Sequence, residues 1–321
     1  METHIGLDLD KAAQLLIEGE LVAIPTETVY GLAGNALSAE AISKIYLTKN
    51  RPQFNPLILH VASIEALKKY VLYLPPKIEK LIQKFSPGPL TVLLPKSNIV
   101  PDIVTAGSSK VAIRIPNHPL TLDLLHKIDF PLAAPSANLS GRVSPTSSEH
   151  VFEQLNGKIP YILDGGETIV GLESTIVGYD ESCEEIAIHR LGGLSIEEIE
   201  ACLNEKIRVD IHHNQPATPG QLKSHYATQT PLLVGDIEEL MFDKNPNEIV
   251  IINYNKLKDI EVKKQYVLTS QNSSAEAAQH LFKIMREADK CQAQYILCEW
   301  APEEGLGLAI NDRLQRASFL I

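Results

Sequence analysis

The chain has 321 residues, which is enough for two domains that each bury a hydrophobic core. Its formal net charge of −11 argues against a protein that holds nucleic acid by spreading Lys and Arg over a broad surface. Hydrophobic residues make up 44% of the chain without an apolar run of roughly 18 residues, and the start Met1-Glu2-Thr3-His4 lacks the basic charge of a signal peptide, so we expect a cytoplasmic protein.

The predicted elements of residues 1–205 describe one α/β domain. A helix is predicted from Asp8, a possible N-cap, to Glu18, with Gly19 as its stop. Strands outnumber helices and are irregularly spaced, which favours a mixed sheet over regular βαβ alternation. Further strands are predicted at Leu21–Ile24, Leu57–Val61, Leu90–Leu94, Val111–Ile115, Leu132–Ala134, Tyr161–Leu163, Ser174–Val177 and Ile186–Arg190, and further helices at Ile64–Tyr70, Pro76–Phe85, Pro119–Lys127 and Ser195–Leu203.

Two cations follow the second predicted helix, Ala39–Thr48. The helix cannot continue through Arg51, because Pro52 pushes the residue before it into an extended conformation. We therefore expect Lys49 and Arg51 to leave the helix and, two apart on an extended segment, to point the same way.

A polar run punctuated by Pro and Gly over residues 206–230 predicts a linker. The pair His212-His213 lies in it and has no partner at metal-ligand spacing. Residues 231–321 predict a small doubly wound unit, in which no G-x-G-x-x-G follows the first strand, so dinucleotide binding is unsupported. Its predicted strands are Leu232–Val234, Glu248–Asn253, Tyr266–Thr269 and Tyr295–Cys298, and its helices Ile237–Phe242, Ala275–Asp289 and Leu308–Ala317.

Polar islands interrupt the apolar strands of the first domain. They place hydroxyls, an amide and two cations at strand breaks, where a backbone leaving a sheet presents polar groups to a ligand. Arg suits planar capture of carboxylate or phosphate. Any one of the four arginines in this domain could instead pair with a surplus acid, but three in motif positions favour a binding site. The islands are Ile24–Leu32 (IPTETVYGL), Lys49–Pro52 (KNRP) and Ala134–Asn138 (APSAN), and the arginines are Arg51, Arg114, Arg142 and Arg190.

The pattern P-T-E-T-V-Y-G-L, K-x-R-P-x-x-x-P-L and S-x-N, with Pro87–Thr91 (PGPLT), resembles the YrdC-like threonylcarbamoyl-AMP synthases, which make an intermediate of the tRNA modification t6A. The match runs in order to about residue 192. The tail Gly305–Ser318 resembles the ending of the two-domain synthases. The resemblance implies a YrdC-like twisted mixed sheet with a concave, positively lined cavity and a small Rossmann-like C-terminal α/β domain.

One charged residue stands out independently of the resemblance. Val111–Pro116 (VAIRIP) places Arg114 inside an apolar strand, on the face opposite Ile113 and Ile115. A buried guanidinium needs a partner. The alternative to a ligand is a structural pair with an acid such as Glu27. The resemblance implies that Arg114 holds the carboxylate of L-threonine and that the threonine contacts are Thr28, His60, Arg114, Ala134 and Ser174.

The resemblance also implies a nucleotide site. Lys49 could instead be a solvated helix end, and Ser136 and Asn138 could be turn caps. Tyr226 lies in a segment that resembles the lid of the family, and the alternative is an aromatic residue packed between domains. The implied catalytic residues are Lys49, Arg51, Ser136 and Asn138, and the implied ATP contacts are Arg51, Asn55, Ser136, Ser144, Arg190 and Tyr226.

In this family the amine of L-threonine is carboxylated by bicarbonate or CO2, and the carbamate attacks the α-phosphate of ATP and releases pyrophosphate. All reactants carry negative charge, so positioning and electrostatics would do most of the work. Neither a G-x-S-x-G nucleophile nor a Walker lysine is present. We expect Mg²⁺ with ATP, held by phosphates and water rather than by a protein motif. Cys183, Cys202, Cys291 and Cys298 fall in no C-x-x-C pair and are expected to be reduced.

We therefore predict an L-threonylcarbamoyladenylate synthase whose product passes to a separate tRNA threonylcarbamoyl transferase acting at A37. No membrane association and no strong direct tRNA binding are expected. Two alternatives remain open: a catalytically idle nucleotide or RNA binder on the same fold, and a carbamoylation or maturation factor with a related domain. Pyrophosphate release that depends on threonine and bicarbonate would separate them.

Overall fold

The structure is a computed structural model that describes residues 2–211 and 225–318, and these form two compact units. The first unit contains the residues up to Ser140, 145–169, and those from Glu173 to the gap. The second contains Gly141–Ser144, Val170–Leu172 and the residues from 225 onward. The predicted linker over 206–230 lies partly outside the described residues, and His212 and His213 lie wholly outside them.

The first unit is built on an 11-stranded mixed sheet with the order β1-β8-β2-β3-β7-β4-β6-β5-β9-β10-β11, which confirms the predicted fold class. Its strands are β1 His4–Gly6, β2 Val22–Ile24, β3 Gly31–Asn35, β4 Ile58–His60, β5 Leu90–Pro95, β6 Lys110–Arg114, β7 Leu132–Ala133, β8 Tyr161–Leu163, β9 Thr175–Asp180, β10 Glu185–Arg190 and β11 Arg208–Val209. Its helices are α1 Leu9–Ile17, α2 Ala39–Lys49, α3 Ile64–Lys68, α4 Pro76–Phe85, α5 Asp102–Thr105, α6 Pro119–Lys127, α7 Ser148–Leu155 and α8 Ile196–Leu203.

The helix ends follow the predicted caps. Asp8 caps α1 by accepting from the Lys11 backbone N–H at 2.9 Å, and Ser195 and Glu198 form the reciprocal capping box of α8. Sequence patterns missed β1, β3, α5, α7 and β11. β3 contains two glycines and little β-branched character, so its strand conformation depends on pairing with β2 and β7 rather than on propensity.

The end of α2 differs from the prediction. Lys49 is the last residue of the helix, and Asn50 caps it in the left-handed region with φ 51. Asn tolerates this conformation, so the chain turns at Asn50 before the restriction imposed by Pro52 takes effect. The expectation that Lys49 leaves the helix and shares an extended segment with Arg51 is therefore wrong.

The described part of the second unit has a 4-stranded parallel sheet with the order β12-β15-β13-β14, as expected for a small doubly wound unit. No helix among the described residues has the length and apolar character needed to cross a membrane. The strands are β12 Leu232–Val234, β13 Ile249–Asn253, β14 Lys264–Val267 and β15 Tyr295–Cys298, and the helices are α9 Ile237–Met241, α10 Ser274–Asp289 and α11 Gly307–Ala317, with a 3-10 turn at Pro246–Glu248.

Candidate active site

A row of side chains crosses five neighbouring strands of the first unit. His60 on β4 is opposite Arg114 on β6, and Arg114 is opposite Thr91 on β5. Thr91 is opposite Ile176 on β9, and Ile176 is opposite Arg190 on β10. Residues directly opposite each other in a sheet project from the same face. Residues distant in sequence therefore share one face of the sheet.

A β-bulge places Arg190 on this face. Ile188 is opposite Val177, but Arg190 is opposite Ile176, so His189 is an extra residue in the β10 ladder. Without this shift Arg190 would be aligned with Thr175 and would project from the other face, because successive strand residues alternate. The bulge thus brings a guanidinium to the face that carries Arg114.

Arg114 is buried and pairs with Glu27. Its Nη2 lies 2.7 Å from Glu27 Oε1, and its Nε donates to the Gly88 carbonyl at 3.2 Å. Glu27 Oε2 accepts from the Asn117 backbone N–H at 2.9 Å. The structural pair considered from the sequence is therefore present. The Nη1 donors have no acceptor among the described residues, so Arg114 still has donors for an incoming carboxylate.

Ser174 is the centre of a buried hydrogen-bond cluster. Arg190 donates from Nε and Nη2 to its carbonyl at 3.0 and 2.8 Å, and from Nη2 to its hydroxyl at 3.0 Å. The same hydroxyl lies 2.6 Å from Thr91 Oγ1. A residue that the resemblance assigns to threonine and one that it assigns to ATP are thus directly bonded to each other.

His60 is a neutral group in this site. Its Nδ1 lies 3.2 Å from the Ile58 carbonyl, which can only accept, so Nδ1 carries the proton in this contact. Burial, and next the charge of Arg114, lower the pKa of His60 to about 3. His60 therefore offers neutral imidazole nitrogens rather than a positive charge.

The loop that carries Thr28 is fixed by Thr26. Thr26 Oγ1 donates to the Val29 carbonyl at 2.6 Å and accepts from the Thr28 and Val29 backbone N–H groups, both at 3.2 Å. Its single proton is thereby used, so the Thr28 hydroxyl is the donor in their 2.8 Å contact. Ala134, the other small residue predicted at threonine, packs its side chain in the apolar cluster that includes Leu16 of α1.

Lys49 holds the S-x-N segment. Its ammonium donates to the Ser136 carbonyl at 2.5 Å and to the Asn138 carbonyl, and the residue is almost fully buried. Burial, and next the charge of Arg51, lower the pKa of Lys49 well below its ordinary value. An ammonium has three donors, and the two used here leave one without an acceptor among the described residues.

Arg51 is buried. Its Nε donates to the Asn55 carbonyl at 3.2 Å and its Nη2 to the Pro56 carbonyl at 2.9 Å. The Asn55 side chain is fully buried, and neither its oxygen nor its nitrogen has a hydrogen-bond partner in the described chain. An unsatisfied buried amide is costly, so it fits a group that meets a ligand.

Two predicted ATP residues belong to the second unit. Ser144 is fully buried in Gly141–Ser144, where the Val143 carbonyl accepts from Arg286 at the contact with α10. Tyr226 is buried, stacks on Phe282 with ring centroids 5.3 Å apart, and has the Arg313 guanidinium 5.5 Å from its ring centroid. These contacts lie within that unit, and the assignment of both residues to ATP stays a prediction.

The first unit thus brings most of the predicted residues into two groups, whose members are linked by hydrogen bonds, by strand register or, for Lys49 and Arg51, by neighbouring charges. Glu27 and Thr91 take part in the first group, although sequence reasoning gave them no site role. Both lie within quoted motifs, at P-T-E-T and P-G-P-L-T, and that was the available signal. Among the described residues, no three His, Cys, Asp or Glu side chains are grouped so as to hold a metal ion. The first group contains His60, Arg114, Ser174 and Arg190, and the second contains Lys49, Arg51, Asn55, Ser136 and Asn138.

Comparison with known proteins places these groups in context. The family model described as telomere recombination, which covers Sua5, YciO and YrdC, matches residues 14–192, and the model of the threonylcarbamoyl-AMP synthase C-terminal domain matches residues 194–318. Threonylcarbamoyl-AMP synthase of Pyrococcus abyssi is 41% identical, covering 96% of this chain and 93% of its own, and that of Bacillus subtilis is 38% identical, covering 96% and 92%. The crystal structure of P. abyssi Sua5 complexed with L-threonine superposes with a TM-score of 0.91 at 38% identity, covering 99% of this chain and 98% of its own.

Proposed function

Because the chain belongs to the two-domain threonylcarbamoyl-AMP synthases, we propose that His60, Arg114 and Ser174 of the first group bind L-threonine and that Arg190 and the second group bind ATP. The chain is an L-threonylcarbamoyladenylate synthase that forms threonylcarbamoyl-AMP and pyrophosphate for t6A modification of tRNA. Its product then passes to a separate transferase that acts at A37.

One observation carries the assignment of the site. The described residues of the first unit include six charged side chains that are less than one tenth exposed, four of them cations and two carboxylates. Burial of unbalanced charge is costly unless a counter-charge is supplied. Amino acid carboxylate, carbamate and triphosphate would supply it. The six are Lys49, Arg51, Arg114, Arg190, Glu27 and Glu173.

Threonine would bind with its carboxylate on the Nη1 donors of Arg114, while Glu27 keeps that guanidinium in place. Carboxylation of the amine by bicarbonate releases water and gives a carbamate. A carbamate oxygen then bonds to the α-phosphorus of ATP as the bond to the β-phosphate oxygen breaks, and pyrophosphate leaves. The protein contributes positioning and charge stabilisation along this path and forms no covalent bond to the substrate.

Lys49 and Arg51 combine two tasks in this proposal. They hold the Ser136–Asn138 and Asn55–Pro56 segments through backbone carbonyls, and their charge lies at the place where phosphates would bind. The buried Asn55 amide has one donor-bearing and one acceptor atom for the nucleotide. Mg²⁺ would accompany ATP with phosphate oxygens and water as ligands, since both oxygens of Glu27 are already committed.

The test is pyrophosphate release measured with and without L-threonine and with and without bicarbonate. Release should require both and should be lost in Arg114→Met. Arg208→Ala is a matched control because Arg208 is a half-exposed arginine on edge strand β11. Pyrophosphate release that does not depend on bicarbonate would favour the alternative of a carbamoylation or maturation factor that uses ATP. The absence of any release would favour the catalytically idle nucleotide or RNA binder.

A further inference from the structure

We infer that Thr91 is a positioning residue that turns the Ser174 hydroxyl into a hydrogen-bond donor for the bound amino acid and links threonine binding to the nucleotide through Arg190. The inference rests on the proposed function, since it takes Arg114 and Ser174 as threonine contacts and Arg190 as an ATP contact. It gives Thr91 a role in coupling the two substrates.

Proton accounting carries the first step. Thr91 and Ser174 each have one hydroxyl proton, and their 2.6 Å contact uses only one of the two. The hydroxyl of Thr91 has no other partner in the described chain, and that of Ser174 has only the Arg190 donor besides. One hydroxyl proton of the pair is therefore without an acceptor in a fully buried place. An anionic oxygen of the substrate would provide that acceptor.

The assignment of Ser174 to threonine decides which hydroxyl carries the spare proton. Arg190 Nη2 donates to Ser174 Oγ at 3.0 Å, so this oxygen already accepts a charge-assisted bond. If Thr91 also donates to it, both lone pairs of Ser174 are used and its own proton points away from both neighbours. The reverse orientation would leave the spare proton on Thr91, which is not assigned to threonine. Donation from Thr91 is therefore the orientation that makes Ser174 the donor to the ligand, in a cooperative chain.

The sheet register places this donor beside the carboxylate site. Thr91 is directly opposite Arg114, so the hydroxyl pair and the guanidinium project from the same face on neighbouring strands. The backbone of Gly192 packs closely against the backbone of Glu173 and Ser174. A Cβ atom added at Gly192 would lie only 2.3 Å from the Glu173 carbonyl oxygen and 2.5 Å from the Ser174 carbonyl carbon. Ser174 is held from both sides, so a change in its hydrogen bonding is transmitted rather than absorbed.

Coupling follows from the shared residue. Nucleotide binding that fixes Arg190 also fixes Ser174, and threonine binding that fixes Ser174 also fixes Arg190. The effect of each ligand on the affinity for the other must be equal. We expect threonine to bind several-fold more tightly when a nucleotide is present, with Thr91 required for the full effect.

Calorimetry on the full chain tests the inference. L-threonine is titrated into wild type, Thr91→Val and Thr91→Ser, each with and without a non-hydrolysable ATP analogue whose α–β bridge is a methylene. Thr91→Val keeps the size and branching of the side chain and removes the hydroxyl. It should weaken threonine binding about tenfold, the scale of one lost hydrogen bond to a polarised group, and should abolish the effect of the analogue. Thr91→Ser should keep both.

The outcomes are distinct. Unchanged threonine affinity and unchanged coupling in Thr91→Val would overturn the inference. The inference would also be overturned if Thr91→Val weakened the binding of threonine alone and the binding of the analogue alone by the same factor, because that pattern indicates general damage to the fold. Equal loss in Thr91→Ser and Thr91→Val would also overturn it, because Thr91→Ser keeps the hydroxyl and the effect would then come from side-chain packing. If wild type bound no threonine at all, the proposed function itself would fail, which is a separate result.

Discussion

The Glu27 carboxylate and the Arg114 guanidinium form a buried ion pair 2.7 Å apart, with 2% and 5% of the two side chains exposed. The contact has the proximity of an ion pair but leaves both atoms without an aligned hydrogen bond. In the empty site Glu27 balances the charge of Arg114. A second anion can still bind to the remaining donors of Arg114. In the proposed site the pair serves both stability and substrate binding.

Glu27→Gln should lower the free energy of unfolding by about 3–5 kcal/mol, because it leaves a buried guanidinium without its counter-charge. The control is Asp10→Asn, which breaks the exposed Lys127–Asp10 pair at the same 2.7 Å distance and should cost under about 1 kcal/mol. Urea denaturation measures both. The double variant Glu27→Gln/Arg114→Met should lose less than the sum of the single losses, and strict additivity would contradict an energetic link.

Arg51→Ala should abolish pyrophosphate release and also destabilise the first unit by on the order of 1–3 kcal/mol, because the carbonyls of Asn55 and Pro56 lose their donor. Activity assays and denaturation should be run beside Arg208→Ala. Full activity in a folded Arg51→Ala protein would remove Arg51 from the nucleotide site.

His60 should make stability pH-dependent. Its pKa is about 3 in the folded protein against an ordinary 6.5, so between these values the unfolded chain binds more protons. The contribution of neutral His60 to the free energy of unfolding is fully present above pH 6.5. It is lost as pH falls towards 3, and the free energy of unfolding then falls by up to about 1.4 kcal/mol per pH unit. His60→Gln should flatten this part of the curve relative to wild type. His126→Gln, on the exposed side of α6, is the matched control.

Threonine should be preferred over serine by a modest factor. The predicted pocket includes Thr28 and Ala134, and one missing methyl leaves apolar surface unfilled, which is worth about 1–3 kcal/mol. Specificity constants for the two amino acids measure it, and serine should still react slowly. Thr28→Ser removes a methyl from the pocket wall and should narrow the ratio, whereas equal constants in wild type would refute the pocket assignment.

Truncation after Glu205 should leave a soluble first unit with strands β1–β10 of its sheet but with sharply reduced activity. Deletion removes the partners of the loop that carries Ser144, since Arg286 bonds the Val143 carbonyl and Ala227 N–H bonds the Gly141 carbonyl at 2.7 Å. Sizing chromatography and pyrophosphate release measure the two properties. If the truncated protein made and retained the adenylate as well as the full chain does, the residues after 205 would have no role in catalysis.

Tyr226 can be tested without deletion. Tyr226→Ala should lower activity and also destabilise the second unit, because the ring stacks on Phe282 and lies beside Arg313. Tyr226→Phe keeps the ring packing and removes the hydroxyl. Loss of activity in Tyr226→Ala with normal activity in Tyr226→Phe would assign the role to the ring, as expected of a lid that excludes water. Normal activity in both variants would contradict the hypothesis that Tyr226 is part of a lid.

The sequence by itself determined the motif islands and most of the local elements. The predicted bounds of α4, α6, β8 and β15 agree with the structure, because apolar periodicity, Pro at a helix start and short apolar runs act within a few residues. The islands contain Lys49, Arg51, Ser136 and Asn138 of the second group, whereas the residues of the first group came from the resemblance. The end of α2 was predicted wrongly, because the sequence pattern did not indicate that Asn50 would form a left-handed cap ahead of Pro52.

Only the tertiary structure decided which side chains meet. The row from His60 to Arg190 depends on the register of five strands that come from distant parts of the chain, and a shift of one residue would move any member to the other face. The His189 bulge makes such a shift, and it brings Arg190 to Ser174. Thr91 acquired its role in the same way, and the sequence offered Glu27 only as one possible partner of Arg114, since both pairings are properties of long-range packing.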